Sequence, residues 1–370
     1  MAVSGTFDNT GGTLAATGTG HVSLAAATVI GGTLSGTTAA VGNVVVDGTA
    51  STLNSFGTLT ASHQAGVATD GLTLKGVINQ YSSPTLAGTI VADNEDIVLL
   101  GATLQNGTLA TLGSGRFVVS ADTVLDGTSH GLTLPGALTI QFGQSLTIRG
   151  QIVNAGSIAL SGSYTNAPAV LKVTGTSSLT GGGTVRLQDI YSADTRSDVA
   201  VIKGLSSAAD TLDNVDNLIV GYGELGSGRL SITNEAAGII NAEGSTLLVA
   251  TGAGAMTNRG LMEATKSGRL LLETSIDNTS GRVLAATGST AQLGGNGIAG
   301  VLAGGRIETA GTGAVLVIAD GGGTLDGRSQ KLTNAGAVAL ATTAMLTLKG
   351  AIANTGSIAA NGSYTSALTT

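Results

Sequence analysis

The chain has no cysteine and no tryptophan, only three prolines, and aromatic residues make up 2 % of its 370 positions. Charged residues reach 11 %, where roughly 25 % is usual. Each scarcity excludes something. Without cysteine there is no disulfide scaffold, no thiolate metal site and no thiol chemistry. Collagen needs abundant proline and glycine at every third position, and neither is present. Nucleic acid is not an expected partner, because Lys+Arg is 16 against 23 for Asp+Glu and there are few rings on which bases could stack. The longest aliphatic runs, such as Ile97-Val98-Leu99-Leu100 and Val315-Leu316-Val317-Ile318, fall far short of the about 20 apolar residues of a membrane helix, so no membrane insertion is expected. The opening Met1-Ala2-Val3-Ser4-Gly5 has neither the basic start nor the apolar core of a signal peptide.

What is present is aliphatic and small. Hydrophobic residues make up 42 % and glycine 59 positions, which removes intrinsic disorder as a reading. The apolar residues come in runs of three to five, such as Ala137-Leu138-Thr139-Ile140 and Ser145-Leu146-Thr147-Ile148, bounded by Gly, Asn or Ser. That is the pattern of short strands. The one candidate helical turn is Ser206-Ser207-Ala208-Ala209-Asp210.

Self-similarity organises these strands. Residues 125–165 match 325–365 at an offset of 200 without a gap: Leu125-Asp126-Gly127 recurs as Leu325-Asp326-Gly327, and Leu146-Thr147-Ile148-Arg149-Gly150 as Leu346-Thr347-Leu348-Lys349-Gly350. A third copy runs from Val46-Asp47-Gly48 through Leu72-Thr73-Leu74-Lys75-Gly76, and Phe7-Asp8-Asn9-Thr10 resembles Ile276-Asp277-Asn278-Thr279. The last copy stops at Thr370 in mid-pattern, so a fragment of a longer chain is expected. A shorter beat of Asn closely followed by Gly runs inside these repeats: Asn234 to Asn258 is 24 residues, Asn258 to Asn278 is 20 and Asn334 to Asn354 is 20.

Strands of four residues cannot enclose a core by hairpin pairing, but stacked coils can. With about three strands per coil, each strand pairs in parallel with its equivalent one coil above and below. Like then stacks on like inside, Asn stacks on Asn at the corners, and glycine takes positive φ in the turns. The expected fold is an all-β solenoid with roughly 20–24 residues per coil, elongated and single over 1–370. At roughly 21 residues per coil it has about 17 coils, and a charged irregular insertion at 186–216 interrupts them.

The stretch Asn9-Thr10-Gly11-Gly12-Thr13-Leu14-Ala15-Ala16-Thr17-Gly18 resembles repeats of filamentous-haemagglutinin-like exoproteins. So does Met256-Thr257-Asn258-Arg259-Gly260-Leu261-Met262-Glu263-Ala264-Thr265, and the run from Leu212 to Ala242 is similar to repeat units of large Gram-negative surface proteins. The resemblance implies a right-handed parallel β-helix, export to the cell surface or medium, and a place in an adhesive stalk or filament. The chain carries no recognisable secretion domain or outer-membrane barrel of that family. The partners it implies are a host or matrix surface, polysaccharide included, and neighbouring repeats of the same parent chain. Open coil edges would also allow end-to-end self-association.

Chemistry has few footholds. His21, His63 and His130 share no ligand spacing, so no metal and no cofactor are expected and turn or surface roles are. The clusters Gly181-Gly182-Gly183 and Gly321-Gly322-Gly323 lack the Gly-Lys-Ser/Thr of a phosphate loop, and Gly294-Gly295-Asn296-Gly297 lacks the Asp of a calcium repeat. Solenoid corners explain all three. Thr17-Gly18-Thr19, Thr58-Leu59-Thr60 and Thr174-Gly175-Thr176 could order water, but their unequal gaps do not repeat at one coil.

Acidic residues are the remaining catalytic candidates, because polysaccharide-cleaving enzymes pair carboxylates. Charge gathers in Arg186, Asp189, Asp194, Arg196, Asp198, Lys203, Asp210, Asp213 and Asp216, with Tyr191 among them. Asp189, Asp194, Arg196 and Asp198 are the catalytic candidates should the chain be a polysaccharide lyase or hydrolase. Asp189 and Asp210 are separated by close to one coil, as are Glu243 and Glu263, so each pair could stack. Tyr164, Tyr191 and Tyr222 are contact candidates, since aromatics stack on sugars. The favoured reading is a structural, adhesive repeat segment without an active site. The alternative is a polysaccharide-active enzyme or carbohydrate-binding module on the same fold.

Overall fold

The structure is a computed structural model describing residues 1–62, 71–83, 87–163, 167–189, 199–205, 210–227 and 230–360, with 189 described by its backbone alone. The chain divides into two compact units, Met1–Arg186 and Leu187–Thr370. The fold is a parallel β-solenoid with about 23 residues per turn, and the described residues contain no helix. The expected helical turn at 206–209 lies outside the described residues.

Alternation builds the strands and stacking buries them. In the first unit Val44, Leu72, Ile97, Phe117, Leu138 and Ile158 lie in register on successive turns, each at most 1 % exposed. In the second unit Leu212, Ile232, Met256, Ile276, Leu302 and Leu325 form an equivalent column, buried to 2 % or less. Each fully buried aliphatic side chain contributes about 1.5–3 kcal/mol. Columns spaced by one strand separation, about 4.8 Å, suit Leu, Ile and Val, and Phe117 is the one ring among the largest fully buried side chains.

Three strand segments per turn are visible around Ile239–Val249. This strand pairs in its first half with Leu261–Thr265 and in its second half with Arg269–Leu272, while Ser231–Asn234 pairs with Met256–Asn258. The turns number about 14, against the roughly 17 expected from the Asn beat. Excursions between strands lengthen many turns beyond that beat. Within 186–216 the described residues include regular strands, Ala200–Gly204 and Thr211–Asn214.

The Asn beat is a buried amide ladder. Asn214 Nδ2 donates to Asn234 Oδ1 at 2.8 Å, Asn234 to Asn258 at 2.9 Å and Asn258 to Asn278 at 2.7 Å. All four are 0 % exposed. Asn214 and Asn234 also donate within their own corners, Asn214 to the Asn217 carbonyl and Asn234 to the Gly238 carbonyl, both at 3.0 Å, while Asn258 donates to the Arg282 carbonyl on the next turn at 3.3 Å. Asn334 and Asn354 repeat the pairing at 2.8 Å.

Glycine follows Asn because the amide occupies the space. A Cβ on Gly281 would stand 2.4 Å from Asn258 Nδ2 and its carbonyl oxygen, and one on Gly260 would stand 2.3 Å from the Glu235 and Gly238 carbonyl oxygens. Neither glycine has a positive φ. Close approach, rather than the positive φ expected from sequence, fixes glycine at these corners.

Candidate functional site

Polar side chains concentrate where the long repeat turns a corner. In its three copies Asp47, Asp126 and Asp326 each accept the backbone N–H two residues on, from Thr49 at 2.8 Å, Thr128 at 3.1 Å and Arg328 at 3.0 Å. Each lies in register with a cation on the next turn, Lys75, Arg149 or Lys349. Arg149 Nη2 reaches Asp126 Oδ2 at 2.7 Å, and Asp326 is bound by its own Arg328 at 2.6 Å. The Arg328 side-chain and backbone hydrogen bonds hold the Asp326 carboxyl at about 2. At Asp126 burial is the largest influence and pushes upward. The Thr128 hydrogen bonds and Arg149 outweigh it, and the carboxyl lies below its ordinary value.

The aspartate is followed by paired glycines: Gly48 faces Gly76, Gly127 faces Gly150 and Gly327 faces Gly350. The ladder then skips four residues, 49–52, 128–131 or 328–331, which leave the wall as an excursion before pairing resumes at Leu53, Leu132 and Leu332. The repeat legible in sequence is therefore a carboxylate-closed turn, a glycine contact and a protruding tip.

A second cluster lies on the second unit, where Thr257, Asn258, Arg259, Asp277, Thr279 and Ser280 line an open depression of about 230 Å³. Arg259 pairs with Glu235 at 2.5 Å. Asp213, Thr233, Thr257 and Asp277 stand in one outward row. Asp213 Oδ1 is buried without a hydrogen-bond partner. Burial, then the Glu235 charge, push the Asp213 carboxyl up, partly opposed by Arg259. Asp213 and Asp277 are three turns apart, about 14 Å at the strand spacing, which is too far for paired carboxylates acting on one glycosidic bond, where about 5–9.5 Å is needed.

A carboxyl whose folded-state value is raised costs stability above that value. The cost fades as pH falls through it and is gone below the unfolded value of about 3.9. Asp213→Asn is therefore expected to melt at or above the parent at pH 7, with the advantage shrinking to nothing by pH 3. A variant that melts lower than the parent at pH 7 and matches it at pH 3 would show instead that the charge of Asp213 is needed by Arg259.

Protein-family models return no match to this chain, and no curated protein matches it either. One solved structure similar to it is the crystal structure of a TibC-catalysed hyper-glycosylated TibA fragment. It is 12 % identical, with 95 % of this chain and 100 % of that chain covered and a TM-score of 0.28.

Of the residues singled out by sequence, Asp194, Arg196, Asp198, Tyr164 and Tyr191 lie outside the described residues, as does His63. Asp189 ends the strand Thr184–Asp189. Asp210 is 4 % exposed, and its carboxylate accepts the Leu205 N–H at 2.9 Å, so it is held against the end of the strand Ala200–Gly204. Tyr222 is half-buried at a bulge between Gly221 and Gly223.

Glu243 does not stack on Glu263: Glu243 is in register with Thr265 and Glu263 with Asn241. Their interval in sequence is shorter than the local turn, so the two carboxylates fall out of step. Glu243 pairs with Lys266 at 3.0 Å instead. Gly294-Gly295-Asn296-Gly297 forms an excursion closed by a bridge between Gly295 and Ile298, and Asn296 donates to the buried Glu273 at 2.6 Å.

Two features escaped sequence reasoning. Thr37, Thr58, Thr89, Thr108 and Thr133 stack in one outward row. Their unequal intervals in sequence hide the register. The adjacent row runs Ala39, Thr60, Val91, Ala110, so no second threonine ladder accompanies it. The other feature is a ring pair: Tyr81 and His130 stack with centroids 3.8 Å apart, although they lie far apart in sequence.

Proposed function

We propose that the chain is a structural and adhesive repeat segment of a large bacterial surface or secreted protein, working by reach and by shallow contact. What supports this most directly is the use to which its carboxylates are put. Asp8, Asp47, Asp126, Asp277 and Asp326 close turns. Asp96, Glu235, Glu243 and Glu308 pair with Arg116, Arg259, Lys266 and Arg282 on neighbouring turns. Acidic groups engaged in closing turns and in bracing one turn to the next suit a mechanical wall better than acid–base chemistry. Stacked turns with a self-complementary amide ladder extend without a change of plan, as a stalk requires.

The test is retention of the folded chain on surfaces coated with matrix protein or polysaccharide, run beside a screen for release of reducing or unsaturated sugar ends. Retention without cleavage is the expected result. Cleavage of any polysaccharide in the panel overturns it in favour of an enzyme, with Asp213 and Glu235 as the first acids to replace.

A further inference from the structure

The corner of the long repeat occurs three times, and the middle copy departs from the other two at positions that touch one another. In each copy three successive turns meet there. The first turn supplies Asp8-Asn9-Thr10, Asn79-Gln80-Tyr81 or Asp277-Asn278-Thr279. In every case the first residue accepts the N–H of the third, at 2.9, 3.2 and 3.1 Å.

The second turn supplies Ile30-Gly31-Gly32, Gln105-Asn106-Gly107 or Ala303-Gly304-Gly305. The N–H of Gly31, Asn106 or Gly304 donates to the carbonyl of Asp47, Asp126 or Asp326 at 2.9, 2.9 and 2.8 Å. All three have positive φ, 59°, 58° and 68°, a conformation that Asn tolerates better than other residues with a Cβ. The third turn supplies the excursion, whose tip is Ser51, His130 or Gln330.

In the outer copies the tip and the threonine flank a bare glycine. A Cβ on Gly31 would meet Ser51 Cβ and Thr10 Oγ1, both at 3.1 Å, and one on Gly304 would meet Gln330 Cβ at 3.2 Å and Thr279 Oγ1 at 3.3 Å. In the middle copy the same three positions are Tyr81, Asn106 and His130. The rings stack at 3.8 Å, and Asn106 Oδ1 accepts the His130 N–H at 3.1 Å. His130 is exposed and Tyr81 half-exposed, so the pair is a ring platform fixed by the backbone beneath it.

Beside the platform runs a polar row in register over five turns: Asn54, Asn79, Gln105, Asp126 and Arg149. Its members are joined at 3.2 Å from Asn79 to Asn54, 3.4 Å from Gln105 to Asp126 and 2.7 Å from Arg149 to Asp126. The row is about 19 Å long at the strand spacing, and its aspartate and arginine offset each other in charge. At the position of Gln105 the outer copies carry Ile30 and Ala303.

We infer that this corner of the first unit binds a neutral linear glycan lying along the row, with one sugar ring against the Tyr81–His130 platform. Ring faces take the C–H face of a pyranose, while the part-exposed amides of Asn54, Asn79 and Gln105 and the Arg149 guanidinium take its hydroxyls, with the buried Asp126 holding Gln105 and Arg149 in place. The length of a pyranose residue is close to the turn spacing of about 4.8 Å, so successive sugars meet successive turns. The balanced charge favours a neutral glycan over an acidic one or a phosphate chain. This deepens the adhesive reading, on which it rests, by naming the class of surface contacted.

The test is calorimetric titration of the full chain with cellohexaose, laminarihexaose, mannohexaose and chitohexaose, with hexagalacturonate as the acidic comparison. At least one neutral hexaose is expected to bind, and hexagalacturonate at least tenfold more weakly. The double variant Tyr81→Thr, His130→Ser carries the residues that the first copy already accommodates, so its melting temperature should hold while affinity falls at least tenfold. Gln330→Ala, at the equivalent tip of the third copy, should leave affinity unchanged. No binding of any neutral hexaose at millimolar concentration overturns the inference, as does unchanged affinity in the double variant or preference for the acidic chain. Failure of the adhesive reading would be seen separately, as absent retention on every coated surface.

Discussion

Asn258→Ala is expected to lower stability by about 3 kcal/mol, because it breaks the amide ladder at an interior rung. Asn258 is 0 % exposed. It accepts from Asn234 at 2.9 Å, and it donates to Asn278 at 2.7 Å and to the Arg282 carbonyl at 3.3 Å. Truncation leaves Asn278 Oδ1 without that donor and opens a cavity where water must enter or the polar atoms go unpaired. Each such loss costs about 1–3 kcal/mol. Aligned amides also polarise one another, so an interior rung matters more than an end rung.

Asn258→Asp sharpens the test. The introduced side chain keeps the shape and still accepts from Asn234, yet once ionised it has no hydrogen to give Asn278 and places a charge in the interior. It should therefore be worse than alanine at pH 7 and should recover as the carboxyl protonates in acid. Thr257→Ala, one residue away on the outward face, should stay within about 0.5 kcal/mol of the parent. Denaturant melts of the three variants decide the matter. An alanine variant that matches the Thr257 control would mean the ladder contributes nothing net.

Gly260→Ala should be as damaging, for a steric reason. Its Cβ would stand 2.3 Å from two carbonyl oxygens, of Glu235 and Gly238, and 3.0 Å from Asn234 Nδ2. All belong to backbone or to a hydrogen-bonded side chain, so none can yield cheaply, and about 3 kcal/mol or more is expected. Gly175→Ala is the comparison. That glycine has φ of 62° but nothing within 4 Å of a Cβ, so only the left-handed conformation opposes the substitution, by about 1–2 kcal/mol. A larger loss at Gly175 than at Gly260 would show that backbone conformation, and not space, governs the glycines of this wall.

Much of this was legible in the residues. Short aliphatic runs bounded by Gly, Asn and Ser specify strands too short for hairpins, and the regular Asn beat specifies turns of matching length. Together they determine parallel stacking, because only equivalent strands one turn apart can satisfy one another. The Asp-Gly and Lys/Arg-Gly matches at an offset of 200 likewise marked a repeat, and the structure shows that what repeats is a corner, because turn chemistry is local and local chemistry repeats with the sequence.

Register between turns was decided only in three dimensions. Excursions of variable length separate chain distance from turn number. Thr58 and Thr89 are in register although their interval in sequence exceeds one turn, while Glu243 and Glu263, spaced like neighbours on the Asn beat, are out of step. For the same reason nothing in the chain marks Tyr81 and His130 as a pair. Their contact depends on Asn106 holding a left-handed φ of 58° and on a tip that leans back across one turn. The sequence by itself determined what each turn is made of. The tertiary structure decided which turn's residues stand side by side, because hydrogen bonds between turns, and not chain distance, set the register.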